Sequence, residues 1–181
     1  MNVYLVGYRA TGKSTVGRLL AKRMHRSFVD SDDEIERLTG RSIADIFSGE
    51  GETSFRDWEE KVVAELADRE GMVVALGGGA VLRENNRRHI AEQSLIIWLT
   101  ASVETLVKRL ETDTASPSRR PRLTPEGGRR EIESLLWARE PLYRQTATHI
   151  VDTEEKSPEE VVDEILLKIS GSDLNQPRHQ P

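Results

Sequence analysis

The chain has 181 residues, a formal net charge of −5, 31% charged and 36% hydrophobic residues, a balance that fits one globular domain able to bury its own core. It contains no cysteine, which excludes disulfides, thiolate metal sites and cysteine nucleophiles, and no apolar run long enough to span a bilayer. An acidic chain is a poor match for nucleic acid, and a start without the charged-then-apolar layout of a secretory leader makes the cytoplasm the expected location.

The first apolar run, residues 3–6, reads as a buried strand, and residues 13–25 read as a helix. Between them Gly7-Tyr8-Arg9-Ala10-Thr11-Gly12-Lys13-Ser14 fits the phosphate-binding pattern G-x-x-x-x-G-K-[ST] in the strand-then-helix setting that the pattern requires. Glycines let backbone N–H groups turn inward onto phosphate oxygens, and the helix start adds its positive dipole end. Lys13 supplies a full charge to the β- and γ-phosphates of a nucleotide, and the Ser14 hydroxyl can ligate Mg²⁺. The motif names a phosphate donor and leaves the acceptor open.

A second strand, residues 27–29, leads into "DSDDEIE". If the strand continues, Asp30 and Asp32 project to one side at the sheet's carboxyl edge, where ligands of such sheets bind. One carboxylate can then hold Mg²⁺ or its waters while the other orients or deprotonates an acceptor hydroxyl. The competing reading is that Ser31 or Asp32 merely caps a helix running through Glu36.

Further along, 57–69 reads as an amphipathic helix preceded by Arg56, and 72–76 as a buried strand that runs into Gly77-Gly78-Gly79. Three successive glycines suggest that something needs a close backbone approach there. Residues 83–92, 102–111 and 129–140 read as helices, 94–99 and 149–151 as strands, and 158–169 as a last helix opened by a Ser-Pro-Glu-Glu start signal. Pro141, just after Arg139, suggests a helix end close by. Residues 113–128, rich in Pro, Ser, Gly and Arg, read as a long loop, of a length usual for functional lids or disordered segments, and 171–181 reads as a disordered tail. Strands alternating with helices predict an α/β fold, a three-layer sandwich with a five-stranded parallel sheet covered on both faces. Arg119, Arg120, Arg122, Arg129 and Arg130 have no aromatic residue between them, as stacking on nucleic-acid bases would require.

Taken in order, Gly7–Ser14, Asp30-x-Asp32, Arg56-x-x-Glu59 with Val63, residues 73–81, and Arg139-x-Pro141-Leu142-Tyr143 resemble the shikimate kinases, as does segment 39–56. The resemblance covers about residues 1–170, and it implies one kinase domain with a substrate-binding segment at about 32–60 and a lid at about 112–128. It further implies transfer of the γ-phosphate of ATP to the 3-hydroxyl of shikimate, with Mg²⁺, by a cytoplasmic monomer that needs neither nucleic acid nor membrane. In this reading Ala10, Thr11, Gly12, Lys13, Ser14 and Thr15 hold the nucleotide, and Arg109 and Lys156 lie near its adenine. Ser14 would bind Mg²⁺ and Asp30 its water shell. Asp32 would bind the shikimate hydroxyls and assist the attacking one. Arg56 and Arg139 would clamp the carboxylate, with Gly77, Gly78 and Gly79 lending backbone contacts, and Arg120 of the lid would meet the transferring phosphate.

Two features depart from the family pattern. Ala10 stands where the family usually has Gly, and the lid reads Arg120-Pro121-Arg122-Leu123 where the family has Arg-Pro-Leu. The alternative acceptor is another small polyol acid such as gluconate, against which Arg56, Arg139 and the triple glycine discriminate. A catalytically dead nucleotide-binding module would be expected to lack Lys13, Asp32 or Arg56, and all three are present.

Overall fold

Four consecutive apolar residues, Val3, Tyr4, Leu5 and Val6, are all buried, which a strand allows only when both of its faces are covered. In the computed structural model, which describes residues 1–92, 94–112 and 128–173, this strand (β1, Val3–Val6) is the centre of a five-stranded sheet. The others are β2 (Ser27–Asp30), β3 (Met72–Ala75), β4 (Leu95–Thr100) and β5 (His149–Asp152), in the spatial order β2-β3-β1-β4-β5. Every pairing is parallel, with Val3 beside Val73 on one flank and beside Leu95 on the other. The expected five-stranded parallel α/β architecture is present.

Helices α1 (Lys13–Arg23) and α7 (Pro158–Asp173) cover one face. There Val16, Leu20, Val161 and Ile165 pack on Val3, Leu5, Val73 and Ile97. On the other face Tyr4, Val6, Val74, Ile96 and Trp98 meet α2 (Ser31–Thr39), α3 (Ile43–Ala67), α4 (Glu84–Ala91) and α6 (Gly128–Thr146) through Ile35, Val62, Ile90 and Tyr143. Helix α5 (Val103–Thr112) packs beside α6 through Leu106 and Ile132. No helix among the described residues is long and apolar enough to cross a membrane.

Four sequence expectations need correction. β2 does not run on through Asp32: it stops at Asp30, whose carboxylate accepts the Asp32 N–H at 3.1 Å and caps α2. Helical structure also begins at Ile43, well before residue 57, and α3 is bent where Gly51 takes φ 83. α6 does not end near Pro141 but reaches Thr146. Proline removes one helical N–H, and the residue four before it, Trp137, is 83% exposed, so water can reach that turn while buried Arg139 and Tyr143 hold the helix on either side. Finally, α7 continues to Asp173, past the expected boundary at 170. Residues 113–127, with Arg120 and Arg122, lie outside the described residues.

Candidate active site

The turn after β1 is built around Gly7, with φ 138; a Cβ there would collide with the carbonyl oxygen of Leu99 on β4. Gly12, with φ 94, is the N-cap of α1 and offers no side chain to it, which leaves the first-turn N–H groups open to an anion. Thr11 tightens the loop by donating to the Tyr8 carbonyl at 2.8 Å. Ala10 also takes a left-handed conformation, φ 65, and pays the steric cost that its methyl group brings. The Lys13 ammonium lies over the loop, donating to the carbonyls of Gly7 and Tyr8 at 2.8 Å each.

Ser14, one residue on, donates to the Asp30 carboxylate at 2.6 Å. A hydroxyl and a carboxylate meeting beside a phosphate loop suit Mg²⁺, which takes one or two protein oxygens and completes its shell with phosphate and water. No group of three or more metal-ligating His, Cys, Asp or Glu side chains occurs among the described residues. Lys13, Ser14, Asp30, Asp32, Gly78 and Arg109 share a cleft of about 490 Å³, which Ala10, Gly12, Thr15 and Gly77 also line. Thr11 instead lines a smaller cavity of about 280 Å³ behind the loop.

The triple glycine is explained by what leans on it. A Cβ on Gly77 would lie 2.5 Å from Asp32 Oδ1 and 2.9 Å from Glu59 Oε1. One on Gly79 would lie 2.6 Å from Arg56 Cζ and closer still to both terminal nitrogens. Gly78 accepts hydrogen bonds from Arg139 Nη1, at 3.3 Å, and from the Tyr143 hydroxyl. Ser31, fully buried, accepts the Gly77 N–H at 2.9 Å and so anchors the loop to α2. Two guanidinium groups therefore flank consecutive glycines, of which Gly78 lines the phosphate cleft while Gly79, Arg56 and Arg139 lie behind that lining.

Arg56 is 8% exposed and pairs with Glu59 at 2.8 Å and Glu52 at 3.0 Å. Burial pushes the Glu59 carboxyl above the usual carboxylate range, against the pull of Arg56. Burial likewise pushes the Tyr143 phenol up, so it remains a donor. Arg109 donates to the Thr153 carbonyl at 2.9 Å and to the Ala10 carbonyl at 3.3 Å, which keeps it at the cleft wall. Lys156 is not brought to the cleft: its ammonium is held by the Asp152 carbonyl and by Glu164, at 2.9 and 2.8 Å.

Sequence reasoning offered Ser31 only as a helix cap, a place that Asp30 takes instead, named Glu59 and Tyr143 only as parts of the family's motifs, and gave no role to the pair Arg9–Glu131. Glu59 had a usable signal, since a residue three after an arginine on a helix can reach it. The others meet their partners only through the tertiary fold.

A family model described as shikimate kinase matches residues 9–170. The chain is 43% identical over 175 residues to a shikimate kinase of Rhodopirellula baltica, covering 97% of this chain and 93% of that one. Among solved structures it is similar to a shikimate kinase from Acinetobacter baumannii in complex with shikimate, with TM-score 0.89, 38% identity, and 96% and 95% of the two chains covered. A gluconokinase from Sinorhizobium meliloti aligns with TM-score 0.60 at 19% identity over 96% and 94% of the chains, a likeness of fold alone.

Proposed function

The chain belongs to the shikimate kinase family, and from that premise we propose how its residues carry the reaction. It is a shikimate kinase with ATP as the phosphate donor. In the proposal the acceptor is the 3-hydroxyl of shikimate, and the products are shikimate 3-phosphate and ADP. One observation carries the assignment of the acceptor site: Arg56 and Arg139 reach the adjacent glycines Gly79 and Gly78 beside Asp32 and the phosphate loop. Two planar guanidinium groups suit a single carboxylate, which a lone lysine could hold only as a point charge.

Lys13 leaves the Gly7 and Tyr8 carbonyls for the β- and γ-phosphate oxygens and takes up charge as it develops. Ser14 would bind Mg²⁺ and Asp30 its water shell, and the ion when bound would neutralise charge on the phosphates. Asp32 orients the attacking hydroxyl and receives its proton. The backbone of Gly77, Gly78 and Gly79 borders the acceptor, and Arg109 borders the nucleotide's base. Lys156 would have to leave Glu164 to join it. We take the protein to act on small molecules as a cytoplasmic monomer without a nucleic-acid partner, a reading supported by its net charge of −5 and its lack of cysteine.

The lid arginine belongs to the same proposal. Proline disfavours the helical region for the residue before it, and on that sequence argument Arg120, which precedes Pro121, is favoured over Arg122 as the group that meets the transferring phosphate. Arg120→Ala should lower kcat by ~10³ or more, and Arg122→Ala by less than about tenfold. A larger loss at Arg122 exchanges the two roles.

The deciding experiment is coupled ADP release with shikimate, gluconate or water as acceptor. Shikimate should raise the rate far above water while gluconate does not. A rate with gluconate equal to that with shikimate would overturn the assignment.

A further inference from the structure

Arg9 occupies a variable position of the phosphate loop, yet its guanidinium pairs with Glu131 in the first turn of α6, 122 residues away in sequence. The Glu131 side chain is 1% exposed and that of Arg9 20%. A carboxylate so deeply placed is held to a defined position by its charged partner. We propose that Arg9 and Glu131 form a strut that sets the distance between the phosphate loop and Arg139, and hence between phosphate donor and acceptor. This positioning role rests on the function proposed above.

Three contacts close a triangle around that distance. The first is the pair itself, from the phosphate loop to the start of α6. Arg139 then follows Glu131 by eight residues on the same helix, roughly 12 Å along the axis at 1.5 Å per residue, and like Glu131 it is buried. From there Arg139 and Tyr143 both donate to the Gly78 carbonyl. The triangle is completed where the glycine loop touches the phosphate loop: a Cβ on Gly78 would lie 3.4 Å from the Arg9 backbone nitrogen and 3.5 Å from the Gly7 carbonyl oxygen. Tyr8, fully buried at its centre, has Arg9 at 5.8 Å and Arg139 at 6.0 Å from its ring centroid.

Without the strut, α6 keeps its apolar packing through Ile132 and Tyr143, but the end that faces the phosphate loop loses its polar tie. Arg139 would then shift relative to Lys13. In-line transfer is sensitive to such a shift, because a misplacement near 1 Å costs about 10²-fold in rate. ATP, held by the loop's own backbone and Lys13, should hardly notice.

The test is steady-state ADP release by wild type, Arg9→Met, Glu131→Gln, the double variant and Arg9→Lys, with Tm measured for each. Each single variant should lose ~10-fold in kcat and gain about fivefold in KM for shikimate, with KM for ATP within about twofold of wild type. The double variant should be no worse than the poorer single one, within about twofold, because both changes remove one interaction. Arg9→Lys should recover most of kcat.

Losses that multiply in the double variant would overturn the strut, as would a KM shift larger for ATP than for shikimate, which would make Arg9 a direct phosphate ligand. A lowered Tm with unchanged kcat and KM would also overturn it, leaving a purely structural pair. If a single variant is too unstable to assay, the double variant, which buries no lone charge, is compared directly with wild type on the same ratios. Failure of the functional reading looks different, because wild type itself would then not phosphorylate shikimate.

Discussion

Ser14 donates its hydroxyl to Asp30 across 2.6 Å, so the first turn of α1 and the end of β2 meet at one point of the cleft. The same carboxylate caps α2 through its other oxygen. Asp30→Asn separates the two jobs, since asparagine caps a helix about as well as aspartate but carries no charge for a cation. The variant should keep Tm within ~2 °C of wild type while needing ~10-fold more Mg²⁺ for half-maximal rate. A Mg²⁺ titration of ADP release checks it, and an unchanged midpoint would remove Asp30 from the metal site.

Arg56→Ala should act on stability as well as on substrate binding. It strands Glu59, which is fully buried, and breaking a buried pair in this way costs about 3–5 kcal/mol. Burial already holds the Glu59 pKa above its unfolded value. The folded chain therefore keeps a proton that the unfolded chain releases, and this group loses stability for the fold as pH rises towards its folded pKa. Arg56 opposes that rise, so removing it extends the window upward. The Tm gap between wild type and variant should be small at about pH 5 and wide at about pH 8. A gap that narrows as pH rises would contradict the pairing.

Gly79→Ala isolates the acceptor clamp from the fold. Its backbone, φ −100 and ψ −2, suits any residue, so the variant carries no conformational strain. The new methyl group would meet the Arg56 guanidinium first, and shifting it also strains the pair with Glu59. KM for shikimate should rise ~10-fold, the value of one charged hydrogen bond, with a smaller fall in Tm than Arg56→Ala causes, because the guanidinium charge stays beside Glu59. Comparing KM with Tm separates this outcome from general destabilisation.

Much of this architecture could be read from the chain before any coordinates. The strands showed themselves because parallel strands buried on both faces are unbroken apolar runs, and the phosphate loop because its residue types are each demanded by one job. α2 was less legible: it buries only Ser31 and Ile35, so its apolar signal is weak and its start depends on the Asp30 cap. Pro141 misled because a solvated helix face tolerates the lost N–H. Arg56 and Arg139 are single charges on helices, and only the order of motifs gave them meaning. Arg9–Glu131 left no local trace, since its ends lie 122 residues apart.

Ala10→Gly should stabilise the protein. A left-handed alanine costs ~1–2 kcal/mol and glycine's extra unfolded freedom takes back about 0.5–1 kcal/mol, so the net gain lies between about 0 and 1.5 kcal/mol. For a chain of this size each kcal/mol raises Tm by ~2–4 °C. Differential scanning calorimetry of the variant, with kcat measured beside it, checks the sign; a lower Tm would mean that the methyl group packs usefully in the loop.

The strand order has a consequence for how the protein comes off the ribosome. β1 precedes the other four strands along the chain, yet its neighbours are β3 and β4, the latter ending at Thr100. One of its hydrogen-bonding edges waits for β3, which ends at Ala75, and the other stays open until β4 has been translated as well. The phosphate loop hangs from that strand, and its Gly7 lies close against the Leu99 carbonyl of β4. The strand that precedes the others along the chain is therefore among the last to be fully flanked.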